Sequence, residues 1–168
     1  MIKKYEFTGE EKGNLKRIRR ISDGLIGGWI EEEENLSHEG DCFVFDEAQV
    51  SDNARVYGNA WVVENTKVFE NAWVFDEARV YGNAQIRGRA AISDNAKIFE
   101  NAQIFDEARV YGNAQIFGNA RVFENTKIFG NAKIYGNAYV FNEAQIYGNV
   151  SICGDTKVLG NATIKGTE

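Results

Sequence analysis

Residues 112 to 117 read GNAQIF, and variants of this six-residue phrase run from Cys42 almost to the last residue. Every sixth residue from Val44 to Ile164 is Val or Ile, 21 positions in all, and two residues before each stands a small side chain, nearly always Ala. Cys42, Thr66, Thr126, Val150 and Thr156 are the exceptions in that small column. A fixed short period is the signature of a solenoid, in which each repeat buries its apolar side only by stacking on its neighbours.

The phrase is read as small, variable, Val/Ile, mostly aromatic, Gly/Asp/Glu, mostly Asn. Side chains alternate along a strand, so the small and the Val/Ile residues share one side and the variable and aromatic residues the other. The variable column contains Arg55, Lys67, Arg79, Lys97, Arg109, Arg121, Lys127, Lys133 and Lys157. A buried stack of unpaired cations is prohibitively costly, so this side faces water and Ala with Val/Ile forms the core. The last two positions are corners, where Gly and Asn tolerate left-handed backbone angles and Asp or Glu suit exposure. The chain has no proline, as a continuous ladder of parallel strands requires.

Four residues of strand and two of corner suit a triangular coil of three hexapeptides, and 21 positions give about seven coils in a prism about 34 Å long at about 4.8 Å per coil. The pattern resembles the hexapeptide repeat [LIV]-x-x-x-[STAV]-x of left-handed parallel β-helices, which implies the handedness. A longer resemblance lies at the N-terminus. KYEFTGE, RIRRISDG and the stretch 27–60, GGWIEEEENLSHEGDCFVFDEAQVSDNARVYGNA, resemble the start of YdcK-like and related prophage left-handed β-helix proteins. The expected fold is therefore all-β: a single-stranded left-handed parallel β-helix over 42–168, with residues 1–41 as a capping segment over the first coil.

Residues 1–41 contain a strand-like alternation over Lys4–Thr8, then LKRIRRI at 15–21, which fits a short helix or an irregular strand. The basic cluster Lys16, Arg17, Arg19 and Arg20 is expected to pair with Glu31–Glu34 across the cap. Trp29, with Leu25 or Ile26, is expected to pack over Phe43, Phe45, Trp61 and Val63. Cys42 falls inward and Cys153 outward, about six turns and roughly 28 Å apart, well beyond the about 7 Å a disulfide spans, so both are read as free thiols in a reducing compartment.

The net charge of −6 argues against a general nucleic-acid binder. No apolar run is long enough for a membrane span and MIKKYEFTGE lacks the core of a secretion signal, so the cytoplasm is the expected location. Hexapeptide acyltransferases, which this repeat resembles, use a His as general base in a cleft between subunits. Here the single His is His38, in the turn NLSHEGD, and no loop leaves the coil. Three His ligands for a metal are not available. The acidic pairs Asp46/Glu47, Asp76/Glu77 and Asp106/Glu107 read as solvated corners. No catalytic, cofactor-binding or metal-binding residue is therefore assigned, no cofactor is expected, and the chain is read as not an enzyme.

What remains is the outward aromatic column. Folded at three hexapeptides per coil, one face carries Phe45, Val63, Tyr81, Phe99, Phe117 and Tyr135. A second carries Phe69, Arg87, Phe105, Phe123 and Phe141, and a third Tyr57, Phe75, Ser93, Tyr111, Phe129 and Tyr147. Rings about 4.8 Å apart stack and stiffen the prism, yet columns this long exceed the apolar patches of ordinary monomers. Together with Trp61 they are the expected interaction surface. The leading expectation is a non-enzymatic structural or protein-binding β-helix of phage or prophage origin. It would self-associate as a dimer or trimer and bind a host protein. The alternatives are an acyl or acetyl transferase with an intersubunit site, and an inhibitor of a host protein acting by DNA mimicry.

Overall fold

The computed structural model describes residues 3–167. Strands β1 (Tyr5–Lys12), β2 (Leu15–Arg20) and β3 (Ile26–Ile30) come first, then a one-turn 3-10 helix at Glu33–Asn35. Twenty-one short repeat strands follow, from β4 (Phe43–Val44) to β24 (Thr163–Lys165). They form three parallel sheets, one per side of the prism, so that the chain is a parallel β-solenoid of about eight turns, consistent with a left-handed helix. Partners lie 18 residues apart: Val80 sits beside Val62 on one side and Ile98 on the other. The Trp61 and Val63 N–H groups donate to the Ala78 and Val80 carbonyls of the next coil, both at 2.9 Å.

The inward columns are sealed. The Val/Ile residues from Val44 to Ile146 and the Ala residues from Ala48 to Ala144 are no more than 1% exposed. Each fully buried Val or Ile contributes about 1.5–3 kcal/mol relative to exposure. Thr66 and Thr126 occupy the small column without an orphaned hydroxyl, because each donates to a carbonyl three residues back, Val63 at 2.8 Å and Phe123 at 2.7 Å.

The corners are more specific than the sequence suggests. The first corner residue is always left-handed, whether Gly or not, and the Asp, Glu and Asn residues there have φ between 52° and 64°. A non-glycine residue costs about 1–2 kcal/mol in this region. The acids recover it by reaching one coil on: Asp94 accepts the Gly112 N–H at 2.8 Å and Glu100 the Gly118 N–H at 2.9 Å. The Asn that follows, expected to share the left-handed role, instead builds amide ladders such as Asn101 to Asn119 to Asn137. The corner acids are thus not simply solvated; the first of each pair caps backbone.

Two expectations about the N-terminus change. The solenoid begins earlier than Cys42, because Trp29 and Ile30 pair in parallel with Gln49 and Val50, and Leu36 bridges to Val56. Ile30, Leu36 and Val44 make an additional coil, which raises seven to about eight. Eight residues rather than six separate Leu36 from Val44, and that surplus breaks the period in the sequence. Residues 15–20 are a strand, and β1 and β2 form an antiparallel pair on the edge of the second face.

Phe43 is buried, but against Gly27, Ile18 and the Arg20 guanidinium, 5.3 Å from its ring. Trp29 is buried on a different face, its indole N–H donating to Glu47 at 3.0 Å under the Arg17 guanidinium. Leu25 and Ile26 are 38% and 46% exposed and leave Trp61 40% exposed, so they do not cover that cluster. The basic cluster pairs with Glu47, Glu6 and Asp23 rather than with Glu31–Glu34.

Candidate ligand-binding groove

Outward side chains on adjacent coils inherit the strand spacing, so like residues stack. On the first face Tyr81, Phe99, Phe117 and Tyr135 follow one another at 5.0, 4.7 and 4.8 Å. On the second, Phe105, Phe123 and Phe141 stand at 4.7 and 5.1 Å. On the third, Tyr57 and Phe75 stand at 4.9 Å, and Tyr111, Phe129 and Tyr147 at 4.8 Å each. Interplanar angles are 7° or less throughout. The rings cover one another's faces and are half-buried, so only their edges meet water. Burial also raises the phenol pKa values of Tyr57, Tyr81 and Tyr111 above the ordinary value.

Each ladder is interrupted once, and the three interruptions differ. Below Val63 on the first face, the Trp61 indole reaches Phe45 at 5.5 Å and is itself covered by Arg79 at 4.8 Å. On the second face Arg87 lays its own guanidinium over Phe105 at 4.4 Å. On the third face the interruption is Ser93, and the variable residue of the same repeat is Ala91. Neither side chain reaches far from the sheet. A groove of about 800 Å³ opens there. Trp73 and Phe75 stand on one side of it and Arg109 and Tyr111 on the other, with Arg55, Arg89 and Lys127 at its margins.

The groove's charge is opposite to that of the protein. Four cations line it and no carboxylate does, although the chain carries −6 overall. Arg89 makes a loose ion pair with Glu107 at 3.5 Å. Arg55, Arg109 and Lys127 have no ion pair among the described residues. Trp73 is 48% exposed, a large apolar surface beside them. Cations with nothing to neutralise them next to exposed aromatic faces form a receptor for an anion attached to a flat or apolar body.

Of the residues expected to form an interaction surface, Tyr111 alone lines this groove; Phe45, Trp61, Tyr81, Phe99, Phe117, Tyr135, Phe105, Phe123, Phe141, Phe129 and Tyr147 lie in the ladders. Sequence reading missed Arg55, Trp73, Arg89, Ala91 and Arg109 as a group. The signal was present in RGRAAIS, 87–93, where one repeat is small in both outward columns and puts Arg where Asn is usual.

His38 lies beyond the groove's upper end. A smaller cleft that shares Arg55 and Trp73 with the groove is lined by Glu33 and His38. The imidazole stacks on Tyr5 at 4.4 Å; its Nδ1 accepts the Lys4 N–H at 3.2 Å and its Nε2 faces Glu33 Oε1 at 3.0 Å. An Nδ1 that accepts fixes the proton on Nε2, which donates to Glu33. Both nitrogens are occupied by structural bonds, so the ring holds the cap. The Tyr5 hydroxyl, 3.0 Å from the Glu33 carbonyl and 2.9 Å from that of Leu36, belongs to the same network. Cys42 and Cys153 are free, one buried and one exposed, and burial pushes the Cys42 thiol pKa up against the opposing pull of Lys4. Among the described residues no group of three or more His, Cys, Asp and Glu side chains is placed to hold a metal, and no helix is long and apolar enough to cross a membrane.

Residues 48–64 and 114–126 match the profile of the YdcK beta solenoid repeat. A relative from Escherichia coli (strain K12), named "Uncharacterized acetyltransferase YdcK", is 32% identical over an alignment that takes in 42% of this chain. The alignment amounts to 26% of that relative, so this chain spans only part of its length. The expectation of a non-enzyme is corrected by this similarity, since the named relative carries the name of an acetyltransferase. The argument from a missing His and missing loops weighed only the catalytic devices visible in sequence, and it is not a sufficient ground against transfer chemistry.

Proposed function

Taking the chain as a YdcK-like repeat β-helix protein, we propose that it is a transferase of the acetyl or wider acyl class whose donor docks in the groove of the third face. The observation that carries this reading is the unneutralised cationic and aromatic lining around Ala91 and Ser93. Thioester donors in this class are anionic at one end and apolar at the other, and such a groove complements them. In the transfer, the acceptor's amine or hydroxyl attacks the thioester carbonyl, the C–S bond breaks, and the thiol leaves with the acceptor's proton.

The described groove binds and orients but holds no carboxylate or imidazole to take that proton. The reading therefore includes a second copy of the chain, facing the groove and supplying the base, in line with the dimer or trimer expected from the sequence. Its substrates are soluble metabolites, which fits a cytoplasmic location. A DNA mimic is disfavoured by the same groove, which breaks any continuous acidic surface.

The test is binding of acetyl-coenzyme A, followed by thiol release with a panel of amine acceptors. It is best run in a Cys153→Ser background, because the exposed Cys153 would react with a thiol reagent. Saturable binding, and release that Arg109→Glu reduces at least tenfold, are the expected results. No binding at millimolar donor would sink the proposal. Light scattering should show an oligomer at micromolar concentration.

A further inference from the structure

We infer that the missing rung at Ser93 is a slot for one planar aromatic ring system bearing a phosphate or carboxylate, with a purine nucleotide as the type ligand. This deepens the reading above by naming the part of a donor that the groove grips, and it rests on that reading only in using the same groove.

The argument is geometric. Neighbouring rings in the third column lie 4.8 or 4.9 Å apart and within 7° of parallel. Phe75 and Tyr111 are two coils apart, so about 9.6 Å separates them at the about 4.8 Å strand spacing. That is room for one ring at stacking distance from both. Ser93 marks the floor of the gap, and Ala91 beside it leaves the entrance clear. Register puts Ala91 between Trp73 and Arg109, so a ring entering the gap has an indole on one flank and a guanidinium on the other.

The other two interruptions serve as internal controls. Where a ring is missing at Val63, Trp61 and Arg79 close over the space; where one is missing at Arg87, the guanidinium itself takes the rung. Only the Ser93 gap is left without a side chain, and only there are unpaired cations gathered. Stacking of a base between aromatic faces is worth on the order of tenfold or more in affinity. Arg109 and Arg55 then select a ligand with an anionic substituent.

The test is titration calorimetry with three probes: adenosine 5′-monophosphate, adenosine, and inorganic phosphate. The nucleotide is expected to bind at least tenfold tighter than either of the others. Ser93→Phe, which supplies the missing rung from within the chain, should weaken nucleotide binding at least tenfold while leaving the melting temperature equal or higher. Should that variant not fold, Ser93→Ile fills the same gap with less bulk and must show the same loss.

If Ser93→Phe binds the nucleotide normally while Arg109→Gln does not, the slot is overturned and the groove reading stands. Nucleotide binding no tighter than phosphate, or adenosine binding as tight as the nucleotide, also overturns it. If neither nucleotide nor acetyl-coenzyme A binds, both readings fall together.

Discussion

The first coil and the later ones solve the same problem with different chemistry. From Gln49 on, each coil is held by bonds that recur every 18 residues: backbone ladder, corner carboxylate, amide ladder, stacked ring. The coil of Ile30, Leu36 and Val44 has only one neighbouring coil and is closed by bonds that occur once. Asn35 is 1% exposed and uses its whole side chain. Its oxygen accepts the Glu31 and Glu32 N–H groups at 3.1 and 2.8 Å, and its nitrogen donates to the Asp52 and Ala54 carbonyls, both at 2.9 Å. Tyr5 and His38 seal the edge beside it. Repetition lets many weak, exposed bonds share the load, whereas an end must satisfy its orphaned groups with buried ones.

The largest effect should therefore come from the end. Asn35→Ala leaves buried backbone groups unpaired at about 1–3 kcal/mol each, and a loss of about 3 kcal/mol is expected by chemical denaturation. A loss below about 1 kcal/mol would mean that water replaces the amide and that the first coil is less singular than it looks.

Within the repeat the effect should be smaller and should depend on which residue is substituted. Asp94→Ala keeps the left-handed φ of 53° and loses the bond to Gly112. It should cost about 1 kcal/mol, or about 2–4 °C in melting temperature. Asp94→Gly removes strain and bond together and should fall within about 0.5 kcal/mol of the parent. Equal losses for the two variants would show that the backbone strain is negligible.

The smallest effect tests a surface bond at the cap. Asp23, between β2 and β3, is held down to about 2 from 3.8 by the Arg20 guanidinium and then by the Leu25 N–H. A lowered folded-state pKa gives stability that is present above pH 3.8 and lost as pH falls through about 2. The melting temperature of Asp23→Asn should lie slightly below that of the parent at pH 6, and the two should converge by about pH 2. A gap that persists at low pH would assign the difference to geometry rather than ionisation.

Much of this was legible in the chain itself. The direction of every residue from Val44 to Ile164 followed from one cost, that of burying Arg and Lys, and the burial of Val80 and Ala78 agrees with it. The first coil was not legible, because Ile30 and Leu36 are followed by a two-residue surplus and lack the aromatic and Asn marks of the repeat. Nor was the structural part of the corner acids: that Asp94 reaches the Gly112 N–H depends on how adjacent corners overlap, which no local pattern records. The groove was half legible. Ser93 was visible as a break in the third column, but Arg87 and Val63 were equally visible as breaks, and nothing in the residue types says which gap a neighbour fills.

The six-residue period thus determined by itself the architecture and the inward and outward assignment of side chains. Those depend on burial energies that each residue carries wherever it sits. Only the tertiary structure decided where the chain has room for something else. A space is a relation among coils: Ser93 becomes a site because Phe75, Tyr111 and Arg109 stand 18 residues away on either side and none of them leans in.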